Sequence, residues 1–488
     1  MNKKYLTYLK FLILGILLYT PIFGHLDTFP IRIWDEARIA TNAYEMHKDG
    51  DWLVTHFEGK PEMLNTKPPF MTWCQVMFVK LIGVNELAIR LPSAFAAFCT
   101  CLILLILSIR YLQSFWLGFI AIMILITSDG YIGHHAARTG DYDAMLALFT
   151  TLFILCFFLF IEFKKTKFLY FFFIALSLAV LTKGVAGLMF LPALVIYSVW
   201  KRQFVSLIKN KHFWRGAGVF IVVALGYYLL RESQSPGYID AVSREELGGR
   251  FLKTSDGHKE PFWFYYNGFI DYRFAKWYLL VPCGLLIGFF HKNHLIKQLS
   301  VFLFLLVSTH FLFISFAQTK LEWYDVPLYP LLSLMAAIFI NYIFDLLRDK
   351  YWIGGKLLAF NTLPFIFLFL IFVSPYHEIF KKTYLPEEHP WHKEFYQIGY
   401  YLKKALKKEV DVNNQFLIYD GYNLQNQLYL KILRDKGGVV KTKELAAIEV
   451  NDVLIVSQDV PKKYIDEHFV FEVVHTFNNV LTYKINER

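Results

Sequence analysis

Charge is scarce in this chain. Asp, Glu, Lys and Arg make up 18% of its 488 residues while 56% are hydrophobic, a balance too apolar for a set of soluble domains. Cysteine is scarcer still: Cys74, Cys99, Cys101, Cys156 and Cys283 all fall in apolar segments. They show neither the paired spacing of a zinc site nor a disulfide framework, which leaves them as small core residues. No nucleotide-binding loop is found, and no internal repeat strong enough for the duplicated halves of a transporter. The first apolar run follows Met1-Asn2-Lys3-Lys4 as in a secretory leader, yet Thr20-Pro21-Ile22-Phe23-Gly24-His25 lacks a small-x-small cleavage site. More apolar runs follow, so it counts as the first membrane span. A net charge of +10 would suit a nucleic-acid binder, but most basic residues fall in short gaps between apolar runs, where they set topology instead.

What is present is the series of runs itself. Crossing the hydrocarbon takes about 20 predominantly apolar residues, and runs lie near 5–24, 91–112, 116–135, 144–163, 168–188, 188–200, 216–230, 277–290, 300–317, 326–344 and 357–375. The expectation is a polytopic α-helical membrane protein with about 11 transmembrane helices, the runs at 188–200 and 277–290 being short enough to be tilted or broken. With the N-terminus inside, the inner loops hold Arg110, then Lys164, Lys165 and Lys167, then Lys201, Arg202, Lys209, Lys211 and Arg215, then Lys292 and Lys297, then Arg348, Lys350 and Lys356. Every inner loop is positive, as the positive-inside rule requires.

Against this background Trp34-Asp35-Glu36-Ala37-Arg38 stands out, because it sets two acids and a base where the first span ends, and ionisable groups at that depth are costly. On a helix Asp35 and Arg38 share a face, and Ile39, Ala43 and Met46 form an apolar stripe, the pattern of a helix lying on the membrane surface. Asp49-Gly50-Asp51 ends that helix. Lys67-Pro68-Pro69 opens a second amphipathic segment running to Gly83, so the outer loop occupies residues 25–90. Polar groups at the other outer ends are Arg138, Asp141 and Asp143, then Lys183, then the loop 231–276, then Lys320, Glu322 and Tyr324. Each has a plain reading: Asp35, Asp141 and Asp143 as helix starts, Lys183 as a snorkelling side chain. Their convergence on one face instead marks a functional site. Loop 231–276 carries mixed charge and then Phe262-Trp263-Phe264-Tyr265-Tyr266, which fits either a lid over that site or an interfacial aromatic belt.

Beyond the membrane region, residues 1–380, composition shifts to that of a soluble domain. Residues 416–419, 453–456 and 469–474 read as strands and 393–408 and 422–434 as helices, a small α/β domain at 385–488. An odd number of spans puts it outside. It holds no nucleotide loop or catalytic triad, which leaves it a structural or acceptor-binding role.

Six short motifs stand in order along the chain: Asp35-Glu36-Ala37-Arg38, Gly50-Asp51-Trp52-Leu53-Val54, Lys67-Pro68-Pro69, Arg90-Leu91-Pro92-Ser93-Ala94, Leu181-Thr182-Lys183-Gly184 and Val326-Pro327-Leu328-Tyr329-Pro330. Together they resemble the signatures of the polyprenyl-phosphate-sugar glycosyltransferases, the superfamily of the lipid A aminoarabinose transferases and the protein O-mannosyltransferases. The resemblance covers roughly residues 5–345. It implies the C-type glycosyltransferase membrane fold and an inverting transfer of sugar from a polyprenyl phosphate to a lipid, glycan or protein hydroxyl, outside a bacterial inner membrane. It also implies Asp35 as catalytic base, a site lysine at Lys67, and a second acid at Asp141 or Asp143, with Asp143-Ala144-Met145-Leu146 the closer local match. A divalent metal is the one cofactor it raises, and His258 resembles a family histidine near the site. Aminoarabinose transferases carry a metal-holding acid before the lysine; this chain has Leu64-Asn65-Thr66-Lys67 instead.

The residues fit that chemistry on their own terms. A carboxylate can take the acceptor proton as the bond to the sugar forms, while fixed cations stabilise the charge gathering on a departing phosphate. Arg38, Lys67, Arg138 and Lys183 are the candidate cations, with Glu36 and Tyr324 as further substrate contacts. The expected partners are a polyprenyl-phosphate-linked sugar, an acceptor and membrane lipids, with no nucleic acid. A transporter or flippase of lipid-linked sugars is the competing reading; it should place charges near the bilayer midplane on a route open to both sides. Reporter fusions should put the loops at 164–167 and 201–215 in the cytoplasm, and 231–276 with the tail outside. A cytoplasmic tail would overturn the orientation.

Overall fold

The computed structural model describes residues 3–249, 259–349 and 362–488. Among these, seven helices are long and apolar enough to cross a membrane: Glu86–Arg110, Asp143–Phe163, Lys167–Leu188, Lys211–Gln234, His294–Phe316, Glu322–Arg348 and Leu363–Tyr384. Four further apolar runs form the shorter helices Thr7–Phe23, Phe115–Ile126, Leu191–Trp200 and Leu280–Phe289. The count of eleven thus exceeds what length and composition alone support. The run at 116–135 shows why. Its helix stops at Ile126 because the hydroxyls of Thr127 and Ser128 turn back onto the carbonyls of Met123 and Ile124, both at 2.6 Å, and side chains that bond locally compete with continued helix.

Asp143–Phe163 and Lys167–Lys183 are joined by a very short link and so pack as antiparallel neighbours. Asp143 opens the first and Lys183 closes the second, each suited to the dipole of the helix end it occupies. The pairing brings both charges to the same end of the bundle.

The helix Asp35–Asp49 ends on Gly50, whose φ of 73° is the left-handed conformation that caps helices without a Cβ penalty, and whose N–H donates to Met46 O at 3.1 Å. A surface helix was the expectation for this segment; instead it is enclosed. Ile39, Ala43 and Met46 are buried as the apolar stripe requires, but Glu36, Thr41, Asn42 and Glu45 are buried too. Its polar side is covered by the C-terminal residues. Tyr44 donates to Asp435 at 2.9 Å, Lys431 pairs with Glu45, and the Tyr429 hydroxyl accepts from Ile31 N at 2.9 Å while donating to Glu86 at 2.6 Å. Arg32 adds a bidentate pair with Glu388, both bonds 2.8 Å.

A small hairpin, β1 (His56–Phe57) and β2 (Lys60–Pro61), follows the enclosed helix. The C-terminal residues build a five-stranded sheet from β3 (Gln415–Leu417), β4 (Val440–Thr442), β5 (Val453–Val456), β6 (Val470–Phe477) and β7 (Val480–Glu487), in the order β4-β3-β5-β7-β6. The first three strands are parallel and the last two antiparallel. Helix Leu424–Asp435, which crosses from β3 to β4, is the one that meets Asp35–Asp49.

Candidate active site

Glu36 and Arg90 build the floor of the site. Glu36 is 1% exposed, and its two oxygens accept from Arg90 Nε at 2.7 Å, Arg90 Nη2 at 2.8 Å, Arg32 N at 2.7 Å and Gly140 N at 2.8 Å. Burial opposes its ionisation, yet the charge and hydrogen bonds of Arg90 with the two backbone donors take its pKa down to about 2. The remaining guanidinium donors of Arg90 go to the carbonyls of Leu26, Phe29 and Pro30 at 2.7–2.8 Å. Gly140 can approach because it lacks a side chain: a Cβ there would stand 2.5 Å from Ile89 Cγ2. The pair therefore ties the first loop, the helix Glu86–Arg110 and the segment before Asp143 to one point, setting Asp35 and Asp141, each next in sequence to a tied residue, side by side.

What converges there is Asp35, Asp141 and His135. One ligand atom from each lies within 4.8 Å of the others, with His135 Nδ1 at 3.4 Å from Asp141 Oδ1 and 4.0 Å from Asp35 Oδ2. The Asp35 side chain is 54% exposed, whereas those of Asp141 and His135 are 2% and 7%. His135 sits at φ 59° with its ring stacked on Trp323, centroids 3.6 Å apart. Burial holds it below its ordinary pKa despite nearby Asp35 and Asp143, so the ring is neutral and can act as a ligand. Burial, helped by Glu36 and Asp35, pushes Asp141 well above the usual carboxylate range. Both Asp141 oxygens and His135 Nδ1 are buried with no hydrogen-bond partner, a costly state for a carboxylate. The Asp141 carboxylate and the neutral His135 imidazole, with the Asp35 carboxylate beside them, fit a divalent cation of the Mn²⁺ or Zn²⁺ type, which would supply fixed positive charge.

Next to this cluster lies a cavity of about 290 Å³ lined by Lys67, Asp143, Lys183, Glu246 and Tyr324 at its charged part and by Leu146, Val185, Met189, Phe313 and Ile314 elsewhere. Each lysine is matched: Lys183 with Asp143, and Lys67 with Glu246 at 2.9 Å. Lys183 also lies over the Tyr324 ring, 5.6 Å from its centroid. His310, buried in the same lining, stacks on Phe190.

Of the residues singled out from sequence, Lys67, Asp143, Lys183 and Tyr324 thus meet in one cavity, with Asp35 and Asp141 in the adjoining cluster. Of the other four, three are elsewhere and one cannot be placed. Glu36 has both oxygens occupied and lies below the site rather than in it. Arg38 makes a bidentate pair with Glu62, at 2.8 and 2.9 Å, under the Phe57 ring. Arg138 donates to the carbonyls of Thr20, Pro21 and Gly24 and lines a different cavity. His258 lies outside the described residues. His135 and His310 were not singled out, although the doublet His134-His135 after Gly133 was a visible break in an apolar run.

A polytopic helical bundle with acids, lysines and a histidine gathered at helix ends around an apolar cavity is the layout that the resemblance of the six motifs implies. Residues 66–228 match the family described as dolichyl-phosphate-mannose-protein mannosyltransferase. An undecaprenyl phosphate-alpha-4-amino-4-deoxy-L-arabinose arabinosyl transferase of Aeromonas hydrophila is 26% identical over 374 residues, 73% of this chain and 64% of the relative; the chain spans less than two thirds of the length of such curated relatives. The fold is similar to that of ArnT from Cupriavidus metallidurans bound to undecaprenyl phosphate, with a TM-score of 0.71 at 16% identity over 99% of this chain and 98% of that one. It also resembles the Archaeoglobus fulgidus oligosaccharyltransferase, with a TM-score of 0.56 at 12% identity over 90% of this chain and 64% of the other. The fold is the one these solved structures share.

Glu36→Gln should cost about 3–5 kcal/mol of stability, because it strands a buried guanidinium. The depressed pKa fixes the sign of the pH effect. The carboxylate's contribution is full above its unfolded value of about 4.3 and is lost as pH falls toward about 2, so thermal unfolding in detergent should converge for the two proteins only in acid. A constant gap down to pH 2 would contradict this. For the cluster, His135→Gln and Asp141→Asn should each weaken Mn²⁺ binding by about tenfold or more in calorimetric titrations of the purified chain; unchanged affinity in both would remove it as a metal centre.

Proposed function

We propose that the chain is an inverting glycosyltransferase that moves a sugar from a polyprenyl phosphate to an acceptor hydroxyl at the outer face of a bacterial inner membrane. One observation carries the reading: an apolar cavity with two lysines in its lining opens beside a half-exposed aspartate at the ends of spanning helices. The names of the Aeromonas relative and of the structure bound to undecaprenyl phosphate support the donor class. The isoprenoid lies along Leu146, Val185, Met189 and Phe313, and its phosphate meets Lys67 and Lys183. Those lysines carry their carboxylates, Glu246 and Asp143, until the donor arrives, so the charge of the cavity is balanced before binding. Glu246 belongs to the loop after Lys211–Gln234, and yielding Lys67 to a phosphate lets that loop respond to donor binding.

Asp35 takes the acceptor proton as the acceptor oxygen attacks the anomeric carbon. The bond from that carbon to the phosphate oxygen breaks, its electrons stay with the phosphate, and the lysines stabilise the charge. One displacement inverts the centre. A cation held by His135 and Asp141 beside Asp35 would add fixed positive charge to the same site. The flippase reading is disfavoured because Asp143 and Lys183 are the first and last residues of their helices, not groups at a bilayer midplane.

Asp35→Asn keeps the shape of the side chain but removes the proton-accepting charge, so turnover should fall by about 10²–10⁴-fold while donor binding survives. Lys183→Ala should instead weaken donor binding and turnover together, having lost a cation felt before and during bond cleavage. Near-normal turnover by purified Asp35→Asn protein would take Asp35 out of the mechanism, since Asn would then serve equally well as a helix start.

A further inference from the structure

A cleft of about 520 Å³ opens in the tail at the carboxyl ends of β3 and β4. The chain connections place it there. From β3 the chain enters Leu424–Asp435 and goes on to β4; from β5, on the other flank of β3, it enters Asp459–His468 and goes on to β6. The two helices also cover opposite faces of the sheet. Leu424 and Leu428 pack with Leu417 and Ile455, whereas Ile465 packs with the alternate residues Ile418, Leu454 and Val456. Adjacent strands that send their chains apart in this way form a topological switch point, where open α/β sheets hold ligands. The two exits are tied together: Asp420 N donates to Gln458 Oε1 at 2.7 Å, and Gln458 Nε2 donates back to Asp420 O at 2.9 Å.

The lining selects the ligand. Asp420, Asn423, Gln427 and Glu444 bring donors and acceptors, while Tyr419 and Pro461 bring apolar surface. Lys443, the cation of the lining, is already held by Asp452 at 2.6 Å. The carboxylates of Asp420 and Glu444 meet no cation among the described residues, so the cleft is acidic and repels a phosphate or a nucleotide. Planar amides and carboxylates offer two polar atoms each, which suits neighbouring hydroxyls, and an aromatic ring suits the C–H face of a sugar. The volume falls within the roughly 300–1,000 Å³ of small-ligand sites.

One short turn joins this cleft to the candidate active site. Tyr419, Asp420 and Asn423 line the cleft, and Tyr422, in the same turn, stacks on Trp34, the neighbour of Asp35. Trp34 is 59% exposed, so an open aromatic surface leads from the tail toward the carboxylate. We propose that the cleft at the carboxyl ends of β3 and β4 binds a saccharide. Resting on the glycosyltransferase reading, that saccharide is part of a glycan acceptor, gripped in the tail while another of its hydroxyls passes the Trp34–Tyr422 stack to reach Asp35. The tail then selects acceptors that carry a sugar over a bare protein hydroxyl.

Saturation-transfer NMR on the full chain in detergent tests the site. The probes are the methyl glycosides of glucose, galactose, mannose, glucosamine and N-acetylglucosamine, with an acetylated serine tripeptide beside them, all at millimolar concentration. At least one glycoside should receive saturation. Asp420→Ala and Glu444→Ala should each weaken its binding by about tenfold, and Thr442→Arg, which fills the cleft, should abolish it. All three side chains are exposed, and Asp420 is tied to Gln458 by its backbone alone, so the variants should unfold at the temperature of the parent chain. A disaccharide of the responding sugar should also shift the emission of Trp34, isolated by difference from Trp34→Phe, and Thr442→Arg should remove that shift. Saturation of no glycoside, saturation of the peptide in their place, or glycoside binding undiminished in all three variants overturns the site; a Trp34 signal that ignores the disaccharide overturns the acceptor role. No turnover is read, so near-normal turnover by Asp35→Asn protein, which would remove the base, leaves the sugar-binding result standing.

Discussion

The buried pair of Glu36 and Arg90 is the constraint on which the site depends. Neither charge can be hydrated, so each must be met in full by protein groups, and meeting them takes donors and acceptors from four separate stretches: residues 26–32, the helix Glu86–Arg110, Gly140 and the start of Asp35–Asp49. Such a pair adds little net stability over an apolar alternative, but it tolerates almost no displacement. Its value lies in placement. Asp35 follows a loop held by Arg90, and Asp141 follows a glycine held by Glu36, so the positions of the two carboxylates are consequences of one guanidinium.

The same logic of local neutrality runs through the lysine-lined cavity. Lys67 with Glu246 and Lys183 with Asp143 are cation–carboxylate pairs in a mostly apolar lining. The proposed donor phosphate would take over two lysines whose desolvation has already been met by the folded chain, which would keep the reorganisation on binding small. The two pairs differ in mobility of setting. Asp143 is fixed at the head of a buried helix, whereas Glu246 lies in the π-helical turn Ser243–Gly249 that continues Tyr238–Val242.

The parts of this arrangement that could be read from sequence are those where an ionisable residue interrupts an apolar pattern. Asp35, Lys67, Asp143, Lys183 and Tyr324 all stand at the edge of such a run, and all fall in or beside one site. Arg38 and Arg138 satisfied the same criterion yet serve other partners, because a sequence shows a charge but not the Glu62 or the three carbonyls that absorb it. His135 failed the criterion for the opposite reason. It sat within the apolar run at 116–135 and was averaged into a span that in fact ends at Ile126. Likewise the hydrophobic stripe of Asp35–Asp49 was legible, but its polar side reads as solvated until the tail that covers it is seen. In the tail, β5 and the two helices were evident from pattern, while the three-residue β4 was too short to register.

The contacts between the first loop and the tail also have a consequence for how the protein is made. Ile31 N waits for the hydroxyl of Tyr429, 398 residues later in the chain, and Glu86 for the same hydroxyl, 343 residues later. Trp34, beside Asp35, stacks on Tyr422 with ring centroids 4.2 Å apart. The chain as far as Tyr429 must therefore leave the ribosome before the loop bearing Asp35 is enclosed. A nascent chain already threaded into the bilayer holds its cations and apolar crevices but not its finished loop, so the emergence of the segment bearing Tyr422 and Tyr429 acts as a late step in assembling the site.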